Sequence, residues 1–482
     1  MDKKSTNTTH YTLRSKNIPL ISFSLFEYEE KEFGVTNKIY TIHIDKIYQE
    51  NSTLLPKNLS EDITNESLEK WINRRKAPKN RQFVEKILSA FDDDSNPMRY
   101  VDVSHALSLN DAYWITRDDI DHKWEDYNLY DNPFDKSLSM VAFTGYSTKV
   151  SGLFTSPEVT SSGALKKCWS NREDGIYLIK GDDFAPRPDG RSQATNEFYA
   201  AQVAEVMGFE HINYDLEEFH HRDGSKEIVC LCKLFTSADE GFVEAATFFK
   251  ENGIDVESSN IVKLSTQKQI SDLFGADKYA DMMLFDSLIA NQDRHLGNFG
   301  MIIDNNTGKY LRPAPLFDNG FSLFYGAAVS DLKKENLPEY IKTLRCRYFT
   351  LDAQAQIFVQ RRHLPNLHKL LQFEFKKHPH YNISDETLAA MSKFIQDRAS
   401  RTIELYHQKN VAIEEKESAF IVNKIKEDLL DSKPLDKIQK DLLSQLPGSP
   451  AGKKLKIKKA IRILKNNPKL RKLITREESK ER

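Results

Sequence analysis

The sequence is short of cysteine, of long apolar runs and of net charge, and each shortage removes a class of protein. Four cysteines (Cys168, Cys230, Cys232, Cys346) in 482 residues are too few for a disulfide framework, and they lack the paired spacing of a zinc site. A reducing, cytoplasmic compartment is therefore expected. No run of about 18 apolar residues occurs, which excludes a membrane-spanning helix. The opening residues, MDKKSTNTTHYTLRSKN, are polar, so a standard secretory signal is not expected. Net charge is only -2, so the chain as a whole has no nucleic-acid signature. No repeat at a fixed period is present. What the chain does have is 39% hydrophobic residues with 28 Phe and 19 Tyr, which supports packed cores. At about 150 residues per domain, the length implies two to four structural units.

The charge is unevenly placed. Lys453 to Arg482 holds 13 Lys and Arg against 3 Glu, about +10, which leaves about -12 on the preceding 452 residues. This basic stretch ends a helical extension, 411–482, broken at Leu446-Pro447-Gly448-Ser449-Pro450 and again at Pro468. Its ordinary reading is a solvated extension. Its sharper reading, for 453–482, is a docking site for nucleic acid or an acidic partner surface.

Residues 1–150 read as an accessory or recognition domain without a catalytic constellation. Tyr11-Thr12-Leu13 and Lys38 to Ile44 alternate as strands do. Asn65 is placed to cap a helix that runs through Ile72. Trp114, Trp124, Tyr127, Tyr130 and Phe134 crowd a polar stretch, a density suited to pinning loops onto a neighbouring domain. Residues 151–245 alternate strand and turn around one helix, Gln193 to Met207, with Gly208 as its stop. Gly175 to Gly181 is an apolar strand ending in Lys180. Ile212 to Phe219 and Glu227 to Phe235 form a hairpin across His221-Arg222-Asp223-Gly224. From 246 to 410 helices dominate, interrupted once by a β segment.

The chemistry concentrates in one ordered set. Asn291-Gln292-Asp293-Arg294-His295-Leu296-Gly297-Asn298 follows an apolar helix that also contains Asp286, and a short hairpin then leads to Asp318-Asn319-Gly320. Phosphoryl transfer needs an Asp near the attacking hydroxyl, an Asn soon after it for a metal, and a second Asp brought back by a hairpin. Asp293 and Asn298 are five positions apart, the spacing found in protein kinases, and Asp318-Asn319-Gly320 stands where those enzymes carry Asp-Phe-Gly. Taken singly, each residue has an ordinary reading as a cap or turn former. The ordered set gains weight from a second half upstream. Lys180 shares a strand face with Ile176 and Leu178, a costly place for an ammonium without an anionic partner. Nucleotide phosphates supply that partner, with Leu178 against adenine. Glu197, early in the next helix, is the candidate to pair with Lys180, and equally suits the helix dipole. Ser161, Ser162 and Gly163 lie in a small-residue turn able to cover phosphates with backbone N–H groups. Lys233 and Phe235 sit where a hinge offers backbone groups to adenine. Arg294 and His295, if they face Asp293, help keep it ionised, although His295 serves equally well as a structural hydrogen-bonder.

Tyr177-Leu178-Ile179-Lys180-Gly181, Asn196-Glu197, Asn291 to His295 with Asn298, and Ala314 to Asp318 together resemble the HipA-like kinases, over roughly residues 150–400. These are bacterial serine/threonine kinases. The resemblance implies an α+β, two-lobed protein-kinase-like fold, with a small β-rich lobe at 151–245 and a helical lobe at 246–410. The 1–150 domain and the helical, basic extension 411–482 flank it. It implies ATP and Mg2+ as cofactors, Asp293 as catalytic base with His295 beside it, Asn298 and Asp318 as magnesium ligands, and Lys180 on the ATP phosphates. It also implies a protein substrate such as a translation factor, a toxin–antitoxin role, and self-phosphorylation at Ser161 or Ser162. The chain is more similar to stand-alone HipA-like domain proteins than to a toxin with an antitoxin. The Asp-Arg-His-x-x-Asn order is shared with phosphoinositide kinases, so a lipid kinase is the alternative enzyme. A nucleotide-sensing, non-catalytic regulator with a nucleic-acid-binding tail is the alternative of another class.

Overall fold

The computed structural model describes residues 7–32, 35–59, 63–77, 96–134, 136–144, 156–161, 165–182, 187–221, 223–431 and 433–480. By contact the chain divides into two compact units, Met1–Ser400 and Arg401–Arg482.

The first unit opens with an antiparallel sheet in the order β3-β2-β1-β4, made of β1 (Asn7–Ser15), β2 (Ile18–Glu32), β3 (Val35–Ile47) and β4 (Tyr113–Arg117). Leu13 pairs with Ile21 on one side and Ile115 on the other, and all three are buried. Helix α1 (Asn65–Arg74) adds Leu68, Trp71 and Ile72 to this core. Its cap is Thr64 and not Asn65: the Thr64 side chain accepts from Ser67 N–H, and Ser67 answers with its hydroxyl. The Asn65 side chain instead accepts from Ile44 N–H, tying helix to sheet. Such a cap contributes about 1 kcal/mol. The crowded aromatics form their own cluster, in which Trp114, Trp124 and Phe134 pack with Ile176 and Trp169 of the second sheet and with Leu234 just beyond it.

That second sheet runs β5-β6-β8-β7, from β5 (Lys167–Arg172), β6 (Gly175–Lys180), β7 (Tyr214–His220) and β8 (Lys226–Lys233). Helix α2 (Gln193–Met207) packs on it through Ala194, Leu216 and Cys230. Ser192 caps α2, and Gly208 ends it at φ 71, a left-handed conformation that glycine adopts without steric cost. A third sheet, in the order β11-β10-β9, joins β9 (Glu240–Glu244) to the hairpin of β10 (Gly300–Asp304) and β11 (Tyr310–Pro313). Between β9 and β10 run α3 (Ala245–Glu251) and α4 (Ala276–Ile289). From Tyr279 to Ile289, α4 is buried at every residue but Asp281, and Asp286 lies among its apolar residues.

The second unit is helical: the end of α5 (Asp385–Leu430), then α6 (Leu435–Gln445), α7 (Pro450–Leu464) and α8 (Pro468–Lys480). Ile425, Leu429, Ile438, Leu442, Ile457, Ile461 and Ile474 build its core. The breaks fall at the proline-bearing stretches the sequence marks. Lys454, Lys458, Lys459, Arg462, Lys469, Arg471, Lys472 and Arg476 are exposed on α7 and α8.

Among the described residues, no helix is long and apolar enough to cross a membrane.

Candidate active site

Lys180 ends β6, and the pleat turns it to the same side as Leu178. Its neighbours Tyr177 and Ile179 face the other way, into a cluster with Phe143, Cys168, Val229 and Leu231. Lys180 is 7% exposed, and its ammonium meets two carboxylates. Nζ lies 2.9 Å from Glu197 Oε1 and also donates to Asp318 Oδ1, across 138 residues of sequence. An unpaired ammonium at such burial is prohibitive, so this arrangement persists because the charges meet. Burial alone would push the Lys180 ammonium down, but Asp318 and Glu197 beside it hold it well above the usual lysine range. Burial likewise favours a protonated Asp318, and the Lys180 ammonium outweighs this, holding the carboxyl well below the usual carboxylate range. For Glu197 burial dominates and the carboxyl is raised, Lys180 offsetting part of the effect. Glu197 Oε2 also accepts from Asn319 N–H at 2.7 Å, so one buried carboxylate holds both the lysine and the loop after Asp318.

The Asp293 loop begins where α4 stops, with Ala290 at φ 54. Asp293 N–H donates to Asn291 Oδ1 at 3.0 Å, and the Asp293 carbonyl accepts from Asn298 Nδ2 at 2.8 Å. The amide nitrogen of Asn298 is thus spent inside the loop, which leaves its oxygen as the available atom. Burial pushes the Asp293 carboxyl above the usual aspartate range; His295 pulls it down and Asp318 pushes it further up.

Arg294 does not face Asp293, so the condition on which it would help keep that carboxylate ionised is not met. It is fully buried and forks onto Asp286, with Nη2 to Oδ1 at 3.0 Å. Its Nη1 donates to the carbonyls of Asn298 at 2.8 Å and Phe317 at 2.7 Å, and Nη2 also reaches Asn319 Oδ1 at 2.6 Å. One planar guanidinium therefore fixes the backbone of the Asp293 loop against that of the Asp318 loop, which a point-charge ammonium could not do. Gly320 follows because the chains approach closely: a Cβ there would stand 2.8 Å from the Gln193 carbonyl oxygen. Asn196 Nδ2 closes the loop by donating to Ser322 O at 2.7 Å.

The remaining expected residues are less tightly joined. His295 is exposed, and its Nδ1 accepts from Gly297 N–H at 3.0 Å, a bond that shapes the loop. The Lys233 side chain folds over the β5–β6 turn and donates to the Asp174 carbonyl, while Leu234 N–H is committed to Ile176 O at 2.8 Å. Phe235 stacks on Phe317, the residue before Asp318, at 5.5 Å between centroids. Ser161 is buried; its hydroxyl donates to Pro157 O and accepts from Trp169 Nε1, each at 2.7 Å. Ser162 and Gly163 lie outside the described residues. The bracing roles of Asp286, Arg294 and Asn196 were not read from the sequence, although an aspartate inside the apolar run of α4 is the signal that marks the first. Lys167 is a further missed cation, pairing with Lys180 across β5 and β6 and helping to hold Asp318 ionised.

No family model matches the chain. A curated relative does: it is 25% identical over 163 residues to the serine/threonine-protein kinase CtkA of Helicobacter pylori, covering 31% of this chain and 47% of that protein. The resemblance to bacterial serine/threonine kinases read from the motifs is borne out by this relative. The chain spans about half the length of the curated relative it matches. Among solved structures, the crystal structure of the H. pylori proinflammatory kinase CtkA aligns with TM-score 0.41 and 19% identity, over 51% of this chain and 94% of that one. HipA in the complex with HipB and operator DNA from Shewanella oneidensis MR-1 aligns with TM-score 0.46 and 11% identity, over 82% of this chain and 99% of that one.

Proposed function

We propose that this chain is an ATP- and Mg2+-dependent kinase that transfers a phosphoryl group to a serine or threonine hydroxyl of a protein. The observation that carries the reading is the meeting of Lys180 with both Glu197 and Asp318. It joins a strand-end ammonium, a helix carboxylate and a loop carboxylate that lie far apart in sequence. The donor set fits the metal: Asn298 and Asp318 offer hard oxygen ligands, and Asp318 is held ionised. Those two residues would hold Mg2+, which when bound neutralises phosphate charge.

In this reading Glu197 orients the Lys180 ammonium toward the phosphate oxygens. Leu178, Phe235 and the backbone at Lys233 border the adenine. Asp293 takes the proton of the acceptor hydroxyl, and its raised carboxyl makes it a stronger base than an ordinary aspartate. Arg294 keeps Asn298 and Asp318 in register. His295 shapes the loop. The acceptor would be a polypeptide, of the translation-factor kind the resemblance implies, in a cytoplasmic setting. For the basic helices at 453–482 we propose an acidic partner surface or nucleic acid, on the strength of their exposed, like-signed side chains.

The test is the intact mass of purified protein incubated with ATP and Mg2+, alone and with candidate acceptors, for wild type and Asp293→Asn. A gain of phosphate by protein or acceptor in the wild-type reaction, reduced about 10²- to 10⁴-fold in the variant, is expected. Equal transfer by Asp293→Asn would overturn the assignment.

A further inference from the structure

A cleft of about 750 Å3 lies outside the Lys180–Asp318 site and is lined by α1, α3 and β9. From α1 come Trp71 and Arg74, with Arg75 just beyond its end, and from α3 comes Lys250. Arg75 is already occupied: it forks onto Asp111 at 2.8 and 3.0 Å and lies 4.8 Å over the Trp71 ring. Arg74 and Lys250 are exposed, and among the described residues neither has a carboxylate partner. Glu251, beside Lys250, is engaged by the Tyr310 hydroxyl.

The cleft is coupled to the chemistry by short hydrogen bonds. Ala245 N–H donates to Phe299 O at 2.9 Å, and Ala246 N–H to Leu296 O at 3.2 Å. At the same corner the Glu244 carboxyl carbon stands 3.9 Å from the place a Cβ would take on Gly297, the residue before Asn298. One end of the cleft therefore abuts the loop that carries Asp293, and Arg74 and Lys250, from separate helices, are among the four cations that line it.

Three occupants can be compared. A metal ion is disfavoured because no group of three His, Cys, Asp or Glu side chains suited to one occurs among the described residues. A nucleotide would need an open aromatic face, and that of Trp71 is covered by Arg75. The volume is within the range of clefts that hold ligands of several functional groups, and the lining sets four cations (Lys57, Arg74, Arg75, Lys250) against three carboxylates (Asp111, Glu244, Glu251), a net positive charge. We propose that this cleft docks an acidic segment of the acceptor polypeptide, Arg74 and Lys250 taking its carboxylates, and so delivers the adjoining hydroxyl to Asp293. The proposal rests on the kinase reading for its consequence, but the docking itself is measurable without catalysis.

The probe is a fluorescein-labelled peptide of alternating Glu and Ser, followed by fluorescence anisotropy. Wild type and Asp293→Asn are expected to bind it alike, and Arg74→Glu/Lys250→Glu about tenfold more weakly or worse. A matching Lys–Ser peptide is expected to bind the doubly reversed variant better than wild type. The milder Arg74→Gln/Lys250→Gln, with unchanged Trp emission as the check on folding, should fall between. Binding of the acidic peptide unaltered by charge reversal, or absent from wild type, would overturn the proposal. With dephosphorylated casein as acceptor, the reversed variant should show a KM raised about tenfold and unchanged kcat and self-phosphorylation. An unchanged KM would count against docking. Absence of transfer by every variant would count against the kinase reading, with the anisotropy still deciding the cleft.

Discussion

Replacing Lys180 by Met tests the charge cluster on its own terms. Methionine keeps the length and apolar stem but removes the ammonium, leaving Glu197 fully buried and Asp318 with 35% of its side chain exposed. Removing one partner of a buried ion pair costs about 3–5 kcal/mol. Water still reaches Asp318 and screens its share, so about 3 kcal/mol is the expected loss at pH 8. The sign of the pH dependence follows from the carboxyls. In wild type Asp318 is held low, so its contribution is present above the unfolded value of about 4 and is lost only as pH falls through its lower folded value. In the variant the strongest opposition to burial is gone, with only Lys167, Arg294 and the Asn319 N–H left, so both carboxyls move up from their wild-type positions. A raised carboxyl contributes stability below its unfolded value and loses it as pH rises toward the folded one. The penalty should therefore shrink from pH 8 to pH 5, by about 1.4 kcal/mol for each pKa unit by which the carboxyls lie above that pH. Urea unfolding followed by tryptophan fluorescence is the assay, because Trp71, Trp114, Trp124 and Trp169 all lie in the 1–400 unit. Adding Glu197→Gln to the variant should restore part of the loss at pH 8. Equal destabilisation at the two pH values, with no restoration, would refute the reasoning.

Other consequences are simpler to read. Because burial raises the Asp293 carboxyl, the acid limb of kcat/KM should fall above the ordinary aspartate value of about 3.9, activity being lost as pH drops through it; a limb at or below that value contradicts the assigned base. Arg294→Lys keeps the charge but not the fork, so kcat should drop about tenfold or more and half-saturating Mg2+ should rise; unchanged Mg2+ dependence would free Arg294 from its bracing role. Phosphate on Ser161 would remove the hydroxyl that donates to Pro157 O and set phosphate oxygens beside the Trp169 indole N–H, so self-phosphorylation there should change tryptophan emission in wild type and leave Trp169→Phe unaltered.

Much of the site was legible because its parts obey local rules. A lysine at the end of an apolar strand face, and two acids framing a helix–loop–hairpin, announce themselves by spacing. So did α2, whose Gln193–Met207 limits and glycine stop follow from capping chemistry. What escaped was set by contacts distant in sequence. Nothing local tells Arg294 to turn from its neighbour Asp293 toward Asp286 and Phe317. Thr64 prevailed over Asn65 as the cap because Asn65 was claimed by a strand edge 21 residues away. The strands β2 and β9 went unread for related reasons. The second half of β2 alternates Tyr28 with acidic residues and so hides its apolar start, and β9 is five residues long and is held by pairing to β10.

The contact between Lys180 and Asp318 has an implication for how ligands would arrive. An ammonium already clasped by a carboxylate is a poor lure for a second anion, since the newcomer must displace the first. A divalent ion that claims Asp318 would release the lysine for a phosphate. Nucleotide and cation would then assist each other's arrival, and free ATP without its metal would encounter a latch still shut.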